Sequence, residues 1–354
     1  MCDQPLLVGL FADYPFQSPV DPGQAQESQH ARVHMYCFVP RHARDYKAKA
    51  MPRNLIESTA AIIADVEIVN AGVLEQVQRT SFTWTDFPGA MCLAANKAYY
   101  AEAIANRNVV AIVTPARIAG ECPPTKALLL TDRCTELFYL IHNLAVHEAA
   151  RTRSRLGQPQ IDTSAQIAPT ALVGPEVSIG RNTIVSDYCI LQGPVEIGAN
   201  CIFHPFVSIG TEGFFSKLIQ GRKSHIRHYG GVRIGTNCIL HAKVNVARSV
   251  NFNEFTEIES DVHVGVNANI GHDCHVGQGC DLAAWALLLG RSRIGSGTWI
   301  GANSVISNAV SVGRNVNVRV GSVVVNDLQD GSDVSGNFAI AHARTLRAHL
   351  KDRR

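Results

Sequence analysis

The chain reads as a mainly β protein: a parallel β-helix behind an N-terminal α/β domain, closed by a short C-terminal helix. Three observations predict this. An apolar residue recurs at every sixth position from Ile161 to Ile209, and again from Ile234 to Val324, twenty-five positions in all and Phe252 among them. The fourth residue after each is almost always small or β-branched, as at Ala165, Cys189, Cys201, Cys238, Val250, Thr256, Cys274, Cys280 and Ser292. Residues 1–150 show no such repeat. A period of six fits neither a helical turn nor strand alternation. It fits a rung with one bulky and one small inward side chain, three rungs closing a triangular turn of about eighteen residues.

At 354 residues the chain has room for two or three domains. With 46% hydrophobic and 18% charged residues the composition is that of a folded soluble protein. A net charge of +2 disfavours nucleic acid as the main partner. No apolar run is long enough to be a transmembrane segment. The start, MCDQPLLVGLFADYPF, lacks the basic stretch of a secretory signal. Of ten cysteines, Cys189, Cys201, Cys238, Cys274 and Cys280 take the small inward position, where a thiol serves as a small hydrophobe. The others lack zinc-ligand spacing. A reducing, cytoplasmic location is expected, with no metal and no permanently bound cofactor.

In the N-terminal domain, 1–150, the stretches Leu6–Phe11 and Val33–Val39 read as strands and Asn96–Asn106 as a short helix. NVVAIVTP reads as a strand ended by Pro115, ALLLTD as another, and Glu136–Arg151 as helical by its spacing. Residues 151–160 are polar, carry Gly157 and Pro159, and read as a linker. The solenoid spans 161–329. It breaks once, where Ile209 to Ile234 is one residue more than four hexads, so that loop 211–231 leaves the prism. Residues 330–354 give a short exit and a basic helix with Arg344, Arg347, Lys351, Arg353 and Arg354. A solenoid has open ends; the N-terminal domain and the tail are expected to cap them.

The hexads specify fold, not function. One rung stands out, IGHDCHVG at 270–277. His272 lies two positions past the inward Ile270, so it projects outward near a corner. Cys274 points inward, away from it, which argues against a zinc site in this rung. Eighteen residues back is Glu254 and eighteen forward is Gly290. Neighbouring strands lie ~4.8 Å apart, so Glu254 from below, or Asp273 from the side, is placed to hold the His272 ring. The Gly290 amide is placed to donate to an oxyanion. A base, an orienting carboxylate and a bare amide suit acyl transfer to an amine; a plain surface histidine is the competing reading. Loop 211–231 carries Lys217, Arg222, Lys223, His225, Arg227 and His228. Arg222, Lys223 and, beyond the loop, Arg248 are phosphate-contact candidates, against the alternative of a solvated basic surface.

The hexads resemble those of many acyltransferases, and that resemblance implies a left-handed coil; the periodicity alone leaves the hand open. Over 84–345 the chain resembles the UDP-3-O-acylglucosamine N-acyltransferase (LpxD-like) family. The run TDFPGAMCLAANKAYYAEAIANRNVVAIVTP and then ALLLTDRCTELFYLI are similar to that family's nucleotide-binding domain, IGTEGFF to the start of its loop, IGHDCHVG to its catalytic rung and Gly290 to its oxyanion glycine. The resemblance implies a homotrimer with active sites between neighbouring prisms. His272 would act as general base, an acyl thioester on coenzyme A (acyl-CoA) or on acyl carrier protein (acyl-ACP) as donor, and a nucleotide-linked amino sugar as acceptor. It places Asn96 and Tyr99 at the nucleotide base, with Leu93 where the family stacks a phenylalanine; capping and packing of a short helix is the other reading of Asn96 and Tyr99.

Departures from the family pattern are informative. The family's second histidine is Ala309 here, and the glycine pair of its acyl groove is Ala284-Trp285. Trp285 in that groove favours a short acyl group and therefore coenzyme A; packing on a neighbouring subunit is its other reading. The expected function is N-acyl transfer to a nucleotide-linked amino sugar for a surface glycan such as O-antigen. The lipid A enzyme of lipopolysaccharide synthesis, with a long chain from acyl carrier protein, is the nearest alternative. A non-catalytic nucleotide-sugar-binding solenoid and a zinc hydratase are the others.

Overall fold

The structure, a computed structural model, describes residues 51–63, 65–153, 158–252 and 254–336, with backbone alone at 146–153. The strands expected near Leu6–Phe11 and Val33–Val39, and the tail from 337 with its basic residues, lie outside the described residues.

Five strands build the α/β sheet: β1 (Glu67–Val69), β2 (Arg79–Ser81), β3 (Ala90–Leu93), β4 (Val109–Thr114) and β5 (Ala127–Leu130). Their order is β1-β5-β4-β3-β2, and all pairs are parallel except β1 with β5. Helices α1 (Arg53–Ile63) and α3 (Cys134–Arg153) bury Ile56, Ile63, Leu137 and Ile141 against Met91, Val113 and Leu129. Helix α2 (Lys97–Ala105) covers the other face through Tyr100 and Ala103, against Cys92, Ile112 and Leu128. The helix expected at Asn96–Asn106 and both expected strands are present. Helix α3 runs two residues further than its apolar spacing suggests, into the stretch read as linker.

The rest is a left-handed parallel β-helix of three sheets, with eight, nine and eight strands. Ile190 pairs with Leu172 and Ser208, and His275 with Glu257 and Arg293, each eighteen residues along, as three hexads require. The inward positions from Val177 to Val324 form one continuous core, including all five inward cysteines at 0–1% exposure. At most corners the third residue after the bulky inward one takes a left-handed conformation. Asn182, Asn200, Asp261, Asp273 and Asn303 do so at φ 55 to 61°, and Gly279 and Gly297 where the residue is glycine. Asn, Asp and Gly tolerate that region best; Trp285, at φ 63°, is a bulky exception.

Two insertions leave the prism, where the periodicity shows one. Ile197 pairs with Ile234, thirty-seven residues on, so the first insertion adds nineteen residues, centred on a hairpin of Ser216–Ile219 with Arg222–His225. Ile234 pairs with Ile258, twenty-four residues on, so a second insertion adds six near 248–253. Six residues preserve the hexad count, so the pattern runs through them unbroken. Phe252 and Val250, which fit the inward register, are therefore not core. Phe252 is half-buried, and Val250 packs instead on Ile219 and Ile226 of the first loop. Ile161 also departs from expectation at 38% exposure, since it begins the first turn.

In the first turn Ile161 and Leu172 are exposed, and the described part of the α/β domain lies elsewhere. It docks on the side of the prism. His142 of α3 accepts from Thr80 Oγ1 at Nδ1 (2.6 Å) and donates from Nε2 to the Arg227 carbonyl (2.9 Å). Asn143 donates to the His225 carbonyl, and Gln220 N donates to Glu136. These contacts arise because polar groups of the first loop find their partners on α3; the segments 1–50 and 337–354, which bear on the expected end caps, lie outside the described residues.

Candidate active site

Both insertions leave the prism at one corner, between the strands ending at Thr211 and Ala247 and those beginning at Gly231 and Phe255. One turn further along the same corner is His272. The loops are joined there, with Tyr229 N donating to the Val250 carbonyl and Gly230 N to that of Ser249, both at 2.9 Å. Excess chain is thus concentrated under one imidazole.

That imidazole is held by its neighbour in sequence. His272 Nδ1 lies 2.7 Å from Asp273 Oδ2. The left-handed backbone at Asp273, φ 61°, turns its carboxylate back onto the preceding ring. Ser249 Oγ and Val250 N (3.0 Å), both in the six-residue insertion, donate to the other oxygen, Oδ1. Asp273 N donates to Thr256 Oγ1 at 2.9 Å. The carboxylate accepts, so Nδ1 carries the hydrogen and Nε2 keeps its lone pair. The His272 side chain is 12% exposed and that of Asp273 4%.

Glu254 stands in the expected column but does not hold the ring. Its carboxylate accepts from Ser81 Oγ and, at 2.8 Å, from Thr85 Oγ1, both of the α/β domain. Burial raises its pKa above the usual 4.5. Of the two carboxylates the sequence left open, Asp273 reaches the imidazole and Glu254 fastens the domain. Gly290 lies against the ring: a Cβ there would come within 2.6 Å of His272 Cε1 and Nε2. The bare α-carbon makes room for the imidazole, and the Gly290 N–H donates to no group among the described residues. Ala309, where a second histidine is absent, sits on the same corner with its N–H on the Gly290 carbonyl.

Imidazoles arrive instead from the first loop. The His228 ring is edge-on to His272 with centroids 5.3 Å apart, and Phe215 covers His272 at 5.2 Å. His225 Nε2 is 2.6 Å from Glu212 Oε2. Glu212, His225 and His228 bring their donor atoms within 4.8 Å of one another, a possible metal-ligand trio. The trio fits a cation poorly. Arg227 and Arg248 both donate to Glu212 Oε1, at 3.0 and 2.9 Å, so the carboxylate is already overcompensated. In the His272 rung, Cys274 faces inward and donates to the Leu289 carbonyl, burial pushing its thiol up to about 11. His275 pairs with Glu259 at 3.2 Å.

The other predicted residues are more dispersed. Asn96 caps α2, its Oδ1 accepting from Tyr99 N at 2.9 Å, which is a structural reason for that asparagine. Leu93 ends β3 half-buried, and Tyr99 is exposed on α2. Aromatic surface near Tyr99 comes from residues that the sequence reading passed over: Trp84 is 6.2 Å from Tyr99 and stacks on Phe82 at 4.8 Å. Their alternation in SFTWTDF was the available signal. Arg248 is engaged by Glu212, while Arg222 and Lys223 are exposed on the hairpin. Trp285 is 61% exposed on a different corner, two rungs along the chain, so within one chain it does not meet His272.

This prism of six-residue rungs defines a class, and comparison with known proteins agrees. Residues 176–211 match the bacterial transferase hexapeptide family (six repeats), a stretch inside the β-helix. Among curated relatives, it is 24% identical over 185 residues to the bifunctional protein GlmU of Clostridium kluyveri and 26% identical over 202 residues to that of Carboxydothermus hydrogenoformans. These alignments cover 48% and 52% of this chain but 39% and 42% of the relatives, so the chain spans about two-fifths of their length. Among solved structures, the UDP-N-acetylglucosamine acyltransferase from Campylobacter jejuni is similar at 20% identity and TM-score 0.41, covering 54% of this chain and 76% of that one.

Proposed function

We propose that the protein is an N-acyltransferase that moves an acyl group from a thioester, acyl-CoA in preference to acyl carrier protein, to the amine of a nucleotide-linked amino sugar. The observation that carries this reading is the His272–Asp273 pair, with its free Nε2 beside the bare Gly290 backbone. The amine lone pair attacks the thioester carbonyl carbon, and His272 Nε2 takes the amine proton. Asp273 stabilises the imidazolium that forms. The Gly290 N–H donates to the oxygen as it becomes an oxyanion. The tetrahedral intermediate collapses, the C–S bond breaks, and the thiolate leaves with the proton from the imidazolium, so no acyl-enzyme is required.

The chain works in this reading as a homotrimer, with each site bounded by a neighbouring prism. Trp285 then shortens the acyl groove from across a chain boundary, since its own corner is not that of His272. Tyr99, with Trp84, offers aromatic surface to the nucleotide base. The test is a panel of UDP- and dTDP-linked amino sugars with acetyl, hydroxybutyryl and hydroxymyristoyl thioesters, read by mass spectrometry. An N-acylated sugar is expected, with short chains preferred, and His272→Ala is expected to abolish it while the protein stays folded. A strict preference for hydroxymyristoyl on carrier protein would replace this reading with the lipid A enzyme. Turnover of His272→Ala within a few-fold of wild type would remove the base.

A further inference from the structure

The first loop carries a polar atom that folding leaves unanswered. His228 is fully buried, and its Nδ1 lies 3.0 Å from the Ile226 carbonyl, so Nδ1 carries the hydrogen. Its Nε2 therefore presents a lone pair, and it has no hydrogen-bond partner. Leaving such an acceptor buried and unmatched is unfavourable. Burial first, and the nearby His272 second, hold its pKa down to about 4, so the ring is neutral near pH 7 and cannot answer its own need by taking a proton.

The position of this lone pair ties it to the proposed chemistry. His228 and His272 converge on Gly213, where a Cβ would lie 3.2 Å from His228 Nε2 and 3.4 Å from His272 Cδ2. The Phe215 ring covers the same place, 5.2 Å from His272 and 6.5 Å from His228. Phe215 is therefore the side chain that a ligand would have to displace to meet both imidazoles. The two rings stand edge-on with centroids 5.3 Å apart, a separation on the scale of one sugar ring, whose neighbouring carbons carry staggered N and O atoms about 3 Å apart.

We propose that the acceptor bears a free hydroxyl on the carbon next to the reacting amine, and that His228 Nε2 receives its hydrogen bond. This rests on the reading of His272 as the base that receives the amine. A neutral donor suits the place better than a metal ion, because Arg227 and Arg248 already crowd Glu212. His228 thus selects the acceptor, and Phe215 stands in for the sugar until it arrives.

The probes are UDP-glucosamine and dTDP-4-amino-4,6-dideoxyglucose, each beside its 3-deoxy analogue, which lacks the hydroxyl flanking the amine. Wild type is expected to favour the hydroxyl-bearing member of the better pair by about 10–100-fold in kcat/KM. His228→Leu is expected to lose that factor on the hydroxyl acceptor and little on the deoxy one, and His228→Gln, whose side-chain carbonyl accepts, to recover part of it. Equal wild-type rates on both members would overturn the inference, as would an equal loss on both in His228→Leu. Turnover lost to EDTA and restored by zinc would also overturn it, in favour of a metal ligand. Calorimetry of each sugar without a thioester separates the two readings. Hydroxyl-selective binding that His228→Leu erases, without acyl transfer, would keep His228 and remove the transferase. Transfer without selectivity would remove His228 alone. Failure of all four sugars to bind would remove both.

Discussion

His272 and Asp273 are adjacent in sequence, and in most backbone conformations adjacent side chains diverge. Here a left-handed corner residue folds the carboxylate onto the ring, so the dyad is a product of the solenoid's own turn geometry. Asp273→Asn would place an amide N–H against His272 Nδ1 and favour the tautomer protonated at Nε2, the wrong atom for a base. Turnover is expected to fall by roughly 10²–10⁴-fold with little change in melting temperature. Glu254→Gln is the contrasting case: its carbonyl oxygen still accepts from Ser81 and Thr85, so turnover is expected within a few-fold of wild type. At Gly290, alanine drives a methyl into the imidazole. Gly290→Ala is expected to abolish turnover and destabilise by about 1–3 kcal/mol, and much of that loss should vanish in the His272→Ala background, a coupling read by urea melts. Sequence spacing brought Glu254, Asp273 and Gly290 to His272, but it could not say which carboxylate turns toward the ring. Spacing places backbones; the direction of a side chain depends on what else it can bond, and for Glu254 that is Ser81 and Thr85 on another domain.

At the scale of elements, the rungs were legible because every inward position obeys one rule, while the loops obey none. Loop 211–231 announced itself only by breaking the count, and nothing in its composition said that His228 returns to His272 or that Arg248 is spoken for by Glu212. The second insertion was invisible because its length equals the period. Its purpose shows in its contacts: Ser249 and Val250 fix Asp273, and Val250 packs with Ile219 and Ile226. Val250→Ala is therefore expected to loosen both loops, lowering turnover several-fold with a small shift in melting. Leu288→Ala, in the prism core, should instead cost about 2–5 kcal/mol of stability.

Across the whole molecule, the α/β domain and the solenoid share buried titratable groups, and stability should follow pH accordingly. His142 at the domain junction and His228 beneath His272 both have pKa values lowered by burial from the usual 6.5. The unfolded chain takes up those protons as pH falls through 6.5, whereas the folded chain resists until about 4 at His228. Their contribution is thus present above pH 6.5 and drains away between 6.5 and 4. Glu254 has the opposite sign. Its raised pKa lets the folded state hold a proton more readily, so its contribution is present below the usual 4.5 and is lost as pH rises through the folded value. Denaturant melts at pH 7.5, 6 and 5 are expected to show falling stability, with a shallower slope in His228→Gln.

The six-residue detour at 248–253 has a consequence for how such a coil acquires complexity. Lengthening or shortening a corner by one full period leaves every later side chain facing the way it did, so the edit is silent to the interior and felt only outside. Chain can be added there in whole periods without renegotiating the turns that follow. New surface can thus accumulate at a chosen vertex while the scaffold beyond it stays in phase.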